Sequence, residues 1–487
     1  MQKALLLSLM LCLGLTTARS QEMVSVNLQA ELSTTLLTFT VGTFVPVQYA
    51  VKAYGVTYTT TDAFGQPDTA SGMMAIPVPN NPAAAPFFPL AIYHHGTVPD
   101  RTAVPSNPST QERLLAFGLT TNGYITLAPD YFGLGSNAGL HPYVHAETEA
   151  RSATDLLLAA RAWLTDQEIR YNQQLFLTGY SQGGHASAAT HRAIETDPAL
   201  SDLTVTAASH LSGPYDISGI MGDLIFGPDR YDFLSYLAYT YISYNYVYGM
   251  YDDLGQVFQP EYVPAIDSFI NEQLDLDQLN DRMNTILTAE TGDEESIPAP
   301  IFQDSILDIL ANQPDHPINV ALRDNDLYNW APQAPTRLFY CTADEQVPFQ
   351  NALKADSVMT ALGAPDVEAV SGGPLSHGGC VFPAVVFSLN FFNQFAVISS
   401  NDDPEVFVGN LQLSPNPVRS GGLIRFSAPE LLPSDATISL IGMDGRHICR
   451  LQGNFSDGLR MPNLAAGVYV LRIESAGRRL VERVVVR

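Results

Sequence analysis

The hydrophobic pattern of the chain changes period along its length. Residues 47–61 (VQYAVKAYGVTYTTT) alternate apolar and polar side chains, and residues 70–78 (ASGMMAIPV) follow a turn-rich DAFGQPDT. Both read as strands, paired across that turn. The next runs are largely apolar, 87–93 (FFPLAIY), 124–128 (YITLA) and 175–177 (LFL), and shorter strands are expected at 205–209, 336–340 and 367–370. Continuous short runs of this kind suit strands buried on both faces. Helical periodicity marks 111–119, 148–165 and 383–395, and an Ala-rich helix follows residue 181. Strands that first pair antiparallel and then alternate with helices predict an α/β sheet. A long segment, 214–335, interrupts the alternation. In it Leu237, Tyr241, Tyr244, Tyr248 and Tyr251 recur at spacings of four and three, a helical stripe. The segment reads as a helical cap insertion. Its tyrosines either pack the cap's own core or line a substrate tunnel.

One junction organises the rest. The strand at 175–177 runs into Gly179-Tyr180-Ser181-Gln182-Gly183 and then into the helix. A G-x-S-x-G pentapeptide between a strand and a helix has the context of a nucleophile elbow. The turn residue is forced into a strained backbone conformation with its side chain projecting, and the flanking glycines let strand and helix approach. The N–H of Gln182 then lies at a helix N-terminus, where it can stabilise an anion.

A serine hydroxyl is a weak nucleophile and needs a base, and the base needs a carboxylate to fix its tautomer. Asp344 follows the strand at 336–340, where that acid belongs; Glu345 is the competing carboxylate. His377 sits in a Gly-rich loop just before the helix at 383–395, and no other histidine lies between His316 and the C-terminal tail. A second anion donor is expected from the loop after the third strand, at the N–H of Thr97, with Gly96 permitting the turn. His94 and His95 lack a third metal ligand, and no P-loop or dinucleotide fingerprint occurs, so neither metal nor cofactor is expected. His185 and His191 read as core or surface residues. Asp130 and Tyr131 close a strand at the same sheet edge and shape either the site or only the turn. Cys341 lies three residues before Asp344 and Cys380 three after His377. If Asp344 and His377 touch, their loops are neighbours and a disulfide fits there; two buried thiols are the alternative.

Composition adds compartment and domain boundaries. The net charge of −26 over 487 residues argues against nucleic acid and against stable binding to anionic lipid. From Pro404 onward there are ten arginines, no lysine and seven acidic residues, a net of +3 that leaves −29 for the rest. Such a shift marks a boundary. Residues 1–20 read as a secretory signal, too short to span a bilayer, which removes Cys12 and places the mature chain in an oxidising compartment. No transmembrane segment is expected in the mature chain. The resulting division is a signal at 1–20, a core at 21–213 and 336–400, a cap at 214–335, a linker at 401–410 and a C-terminal domain at 411–487. That last domain alternates strands with Gly turns and reads as a small β-sandwich.

Several motifs carry a resemblance. HHGT followed by AVPS (103–106), APDYFGLG (128–135), GYSQGG, TADEQVP and SHGGC, with the long helical cap, resemble the secretory lipase family of α/β-hydrolases from about residue 47 to 395. The resemblance implies hydrolysis of carboxylic esters, including acylglycerols. Ser181, Asp344 and His377 would form the triad, and Thr97 and Gln182 the oxyanion hole. Fungal lipases of the family often carry an acidic residue where this chain has Thr97; a backbone donor survives that change. LSPNP (413–417), ISLIGMDG (438–445), LAAGVYVL (464–471) and the terminal VVV resemble the type A C-terminal sorting domain of type IX secretion. This implies an extracellular or surface-attached enzyme of a Gram-negative bacterium, with the secretion machinery as partner. An accessory carbohydrate-binding sandwich is the alternative for this domain. For the whole chain, the expected activity is a secreted serine esterase or lipase. A serine peptidase of the same fold and a non-catalytic binding protein are the alternatives.

Overall fold

A computed structural model describes residues 21–81, 85–227, 230–292 and 297–398, and the strands and turns of a second unit between 405 and 487. The chain divides into two compact units, 1–398 and 399–487. The expected signal lies outside the described residues, as does most of the expected linker. Glu405–Val406, inside that linker, is a short strand of the second unit, paired with Arg478–Val486.

The larger unit is built on a nine-stranded sheet: β1 (Met23–Leu32), β2 (Ala50–Thr61), β3 (Pro67–Val78), β4 (Phe88–His94), β5 (Ile125–Pro129), β6 (Tyr171–Tyr180), β7 (Ala207–Leu211), β8 (Thr336–Tyr340) and β9 (Val367–Ser371). The spatial order is β1-β2-β3-β5-β4-β6-β7-β8-β9. The first three neighbouring pairs in that order are antiparallel and the remaining five are parallel. Burial follows the sequence pattern: β2 alternates, whereas every residue of β4, β5 and β7 is buried. Strand β1 and the short helix Thr34–Thr40, capped by Ser33, precede the first expected strand and extend the antiparallel edge.

Helices cover both faces. Ala146–Asp166 buries Ala153, Leu156, Leu157, Ala160 and Leu164 against the sheet, and Gln182–Thr196 lies beside it with an almost wholly buried face of small residues. His377–Phe392 packs on the opposite face with Phe176, Phe339 and Tyr124. This helix starts earlier than its sequence suggests. Ser376 caps it, accepting from the Gly379 N–H, so His377 is its first residue and not part of a loop before it, and Pro383 lies inside.

Between β7 and β8 the segment 214–335 forms helices with their own apolar core, including Leu234, Ile242, Phe258, Leu279 and Phe302. Its first long helix, Leu234–Tyr248, ends at Gly249, which adopts φ 62°. The expected stripe therefore stops there, and Tyr251 lies beyond the helix, its hydroxyl donating back to the Tyr241 carbonyl.

The smaller unit has a five-stranded and a three-stranded sheet among its described residues. Ile424, Ile438, Leu440, Leu471, Val484 and Val486 form its core.

Candidate active site

The β6–helix junction carries the strain expected of the elbow. Ser181 adopts φ 61°, ψ −123°, a region costly for a residue with a Cβ. A Cβ on Gly183 would collide with the carbonyls of His94 and His95, and one on Gly179 with the Gly183 carbonyl. Strand, helix and the loop after β4 meet here more closely than any side chain allows. Ser181 N–H donates to the Leu211 carbonyl at 2.9 Å, tying the turn to β7.

The loop after β4 lies against this turn: a Cβ on Gly96 would stand 3.7 Å from Ser181 Cβ. Neither the Thr97 nor the Gln182 main-chain N–H meets an acceptor among the described residues. The Thr97 hydroxyl pairs with Tyr143 Oη at 2.9 Å. The two neighbouring histidines are occupied elsewhere. His94 bonds the Thr178 carbonyl and the Thr190 hydroxyl, and His95 the Gly96 carbonyl, with the Asp130 carbonyl at 3.3 Å. Burial lowers their pKa values to about 3 and about 4. No group of three potential metal ligands converges among the described residues.

Asp130 and Tyr131 build this loop's support. The Asp130 carboxyl accepts from Ser71 Oγ at 2.7 Å and the Ser106 N–H at 2.9 Å, and Tyr131 Oη donates to the His95 carbonyl at 3.0 Å. Burial raises the pKa of Asp130.

On the other side, Asp344 Oδ2 lies 2.7 Å from His377 Nδ1. Asp344 Oδ1 accepts from the Gln346 and Val347 N–H groups at 3.0 and 2.9 Å. Glu345 does not face the ring; it accepts from the His377 main-chain N–H at 3.0 Å. Tyr180 bridges to the serine side, its hydroxyl donating to the His377 carbonyl at 2.6 Å and its ring centroid 5.0 Å from the imidazole. No hydrogen bond joins Ser181 Oγ to His377 among the described contacts. Such bonds are often long without substrate and tighten around it. Cys341 and Cys380 form a disulfide between the Asp344 loop and the first turn of the His377 helix.

Ser181 and Gln182 open on a narrow cavity of about 50 Å³ beneath the helical segment, walled mainly by apolar side chains such as Ile217, Met221, Ile225, Leu237 and Leu322. The tyrosine stripe divides. Tyr241 lines this cavity, as do Tyr143, Tyr231 and Tyr236, whereas Tyr244 is buried in the cap and donates to the Val144 carbonyl.

Two residues with no part in the sequence reading join the site. Gln182 Nε2 donates to His141 Nε2 at 2.7 Å and to Glu149 Oε1 at 2.8 Å, and Glu149 Oε2 lies 2.7 Å from His185 Nδ1. One sequence cue for Glu149 exists: it shares a helix face with Ala153, Leu156 and Ala160, where an acidic side chain is out of place.

Solved structures share this architecture. A candidate hydrolase from Legionella pneumophila superposes with a TM-score of 0.67 at 26% identity, over 77% of this chain and 98% of that one. The rice cell wall degrading esterase LipA from Xanthomonas oryzae gives a TM-score of 0.64 at 25% identity, over 77% and 98%. The larger unit has the α/β-hydrolase fold. Candida antarctica lipase A in its closed state shares that fold alone, with a TM-score of 0.55 at 16% identity over 78% and 84%. The hydrolase unit is followed by residues 412–487, which match the secretion system C-terminal sorting domain. A comparison with curated protein sequences gave no match. Among the described residues, no helix is long and apolar enough to cross a membrane.

Proposed function

We propose that the chain is a secreted serine carboxylic-ester hydrolase, an esterase or lipase acting on acylglycerol-like or other hydrophobic esters. One observation carries the reading: a strained Ser181 opens with Gln182 on an apolar cavity, the loop after β4 lies against it, and the adjacent Tyr180 hydrogen-bonds His377, which pairs with Asp344.

In this reading His377 Nδ1–H donates to Asp344, which leaves Nε2 as the basic nitrogen. Ser181 Oγ attacks the ester carbonyl as its proton passes to Nε2. The carbonyl oxygen becomes an oxyanion held by the Thr97 and Gln182 N–H groups. Collapse expels the alcohol, which takes the proton from His377, and leaves an acyl group on Ser181. Water then attacks the acyl-enzyme with His377 as base, releasing the carboxylic acid and restoring the serine. The apolar cavity suits the acyl chain of an ester. The sorting domain supports export by type IX machinery to the surface or surroundings of a Gram-negative cell, and the domain boundaries proposed are those of the sequence reading, with Glu405–Val406 assigned to the second unit and not to the linker. The test is a fluorophosphonate probe with p-nitrophenyl ester turnover. The reading expects stoichiometric labelling of Ser181 and loss of turnover; turnover that survives complete labelling overturns it.

A further inference from the structure

The buried polar cluster behind Gln182 is not consumed by the proposed chemistry. His141 Nδ1 lies 2.7 Å from the Phe132 carbonyl, which can only accept. Nδ1 therefore carries the ring proton and Nε2 presents a lone pair to the Gln182 amide. Burial holds this ring neutral, with its pKa lowered to about 3. Glu149 is fixed in a parallel way. His185 Nε2 lies 3.1 Å from the Asn325 carbonyl and so carries a proton. Glu149 Oε2 and His185 Nδ1 then share one further proton, as carboxylate and imidazolium or as carboxylic acid and imidazole. In both forms the pair is neutral overall, and Glu149 Oε1 remains an acceptor for Gln182.

This arrangement fits a mechanical need. A residue in the conformation of Ser181 is held there only when its surroundings over-determine it. The close contacts of Gly179 and Gly183 restrain the turn through its backbone. Gln182, the residue immediately after Ser181, is restrained through its side chain by two acceptors 33 and 41 positions away in sequence. Neither acceptor residue lines the cavity beside Ser181.

Resting on the reading of Ser181 as nucleophile, we infer that Glu149 is a positioning residue: with His141 it pins the Gln182 side chain so that the Gln182 main-chain N–H and the strained serine stay aligned for the oxyanion. It touches no substrate. Because the oxyanion forms only in the transition state, loss of the tether lowers kcat and leaves KM nearly unchanged.

The test compares Glu149→Gln with Glu149→Leu and Gln182→Met in the full chain. Glu149→Gln keeps a carbonyl for Gln182 and offers its NH2 to a neutral His185, so kcat stays within about threefold of the parent. Glu149→Leu removes the tether, and kcat falls about ten- to a hundredfold, short of the roughly 10²–10³ lost with an entire oxyanion donor. KM moves less than about twofold. Affinity for an alkyl trifluoromethyl ketone, which forms a tetrahedral serine adduct, falls by the same factor as kcat. Gln182→Met leaves the Glu149–His185 pair intact and reproduces the loss, so it carries the test if Glu149→Leu does not fold. An unchanged kcat in Gln182→Met, or a fall in kcat with undiminished ketone affinity, overturns the inference. Turnover retained by Ser181→Ala instead marks failure of the nucleophile reading itself.

Discussion

Cys341 and Cys380 are bonded across the base of the Asp344–His377 pair, joining the Asp344 loop to the first turn of the His377 helix over a separation of 39 residues. The bond closes a loop that includes β9 and the helix Gln350–Ala361. Closing a loop of this length stabilises the native state by about 2–4 kcal/mol in the chain-entropy account. The Cys341→Ser/Cys380→Ser double variant is expected to lose stability in this range, read from its urea unfolding midpoint. Turnover at low temperature is expected to fall less than about tenfold, because Asp344 keeps its two main-chain donors. An unchanged midpoint contradicts this.

Acid stability follows from the buried histidines. Burial depresses His94 and His141 to about 3 and His95 and His145 to about 4, and pushes His210 well below its ordinary value. In the unfolded chain each takes up a proton near pH 6.5. Below that pH the unfolded state binds more protons than the folded one, so stability is lost as pH falls from about 6.5 towards 3–4 and is flat above 6.5. Burial raises Asp130, Asp155 and Asp326, which acts in the opposite direction, but the lowered histidines outnumber these carboxyl groups five to three. The melting temperature is therefore expected to drop between pH 7.5 and 5. A constant or rising value refutes this assignment.

The cavity beside Ser181 predicts an acyl preference. Each methylene moved from water to an apolar wall contributes about 0.8 kcal/mol. Four more methylenes therefore raise kcat/KM by up to roughly a hundredfold, if the contacts persist in the transition state. A series of p-nitrophenyl esters is expected to rise from acetyl to hexanoyl or octanoyl. A flat or falling series would move the reading to a short-chain or carbohydrate esterase.

Much of this site was legible because its determinants are local. Gly179, Ser181 and Gly183 declare the elbow within five residues, and Asp344 and His377 each follow a short strand in the order the triad requires. Other features depend on distant partners. The acceptors of Gln182 sit on Glu149 and His141, and no local pattern pairs them. Met23–Leu32 is an edge strand that alternates strictly from Val24 to Leu32, so its period was legible although it lies before the first strand expected. Helical periodicity over 383–395 sets the helix start too late: Ser376 caps it seven residues before Pro383, which is accommodated within the helix. Gly249 ended the tyrosine stripe that spacing alone carried on to Tyr251.

The two compact units predict separable roles. A chain ending at Asp403 is expected to keep full ester turnover while remaining uncoupled from the secretion route. Reduced specific activity of the purified truncated enzyme would show that the sorting domain supports the hydrolase unit.

The central claim is that Ser181 and His377 act as one nucleophilic unit, and its most direct measurement is a double-mutant cycle on kcat with a hexanoyl ester. Ser181→Ala and His377→Ala are each expected to lower kcat by several orders of magnitude with the melting temperature retained. The account predicts that the double variant is no slower than the slower single variant; losses that multiply, or substantial turnover by Ser181→Ala, would contradict it.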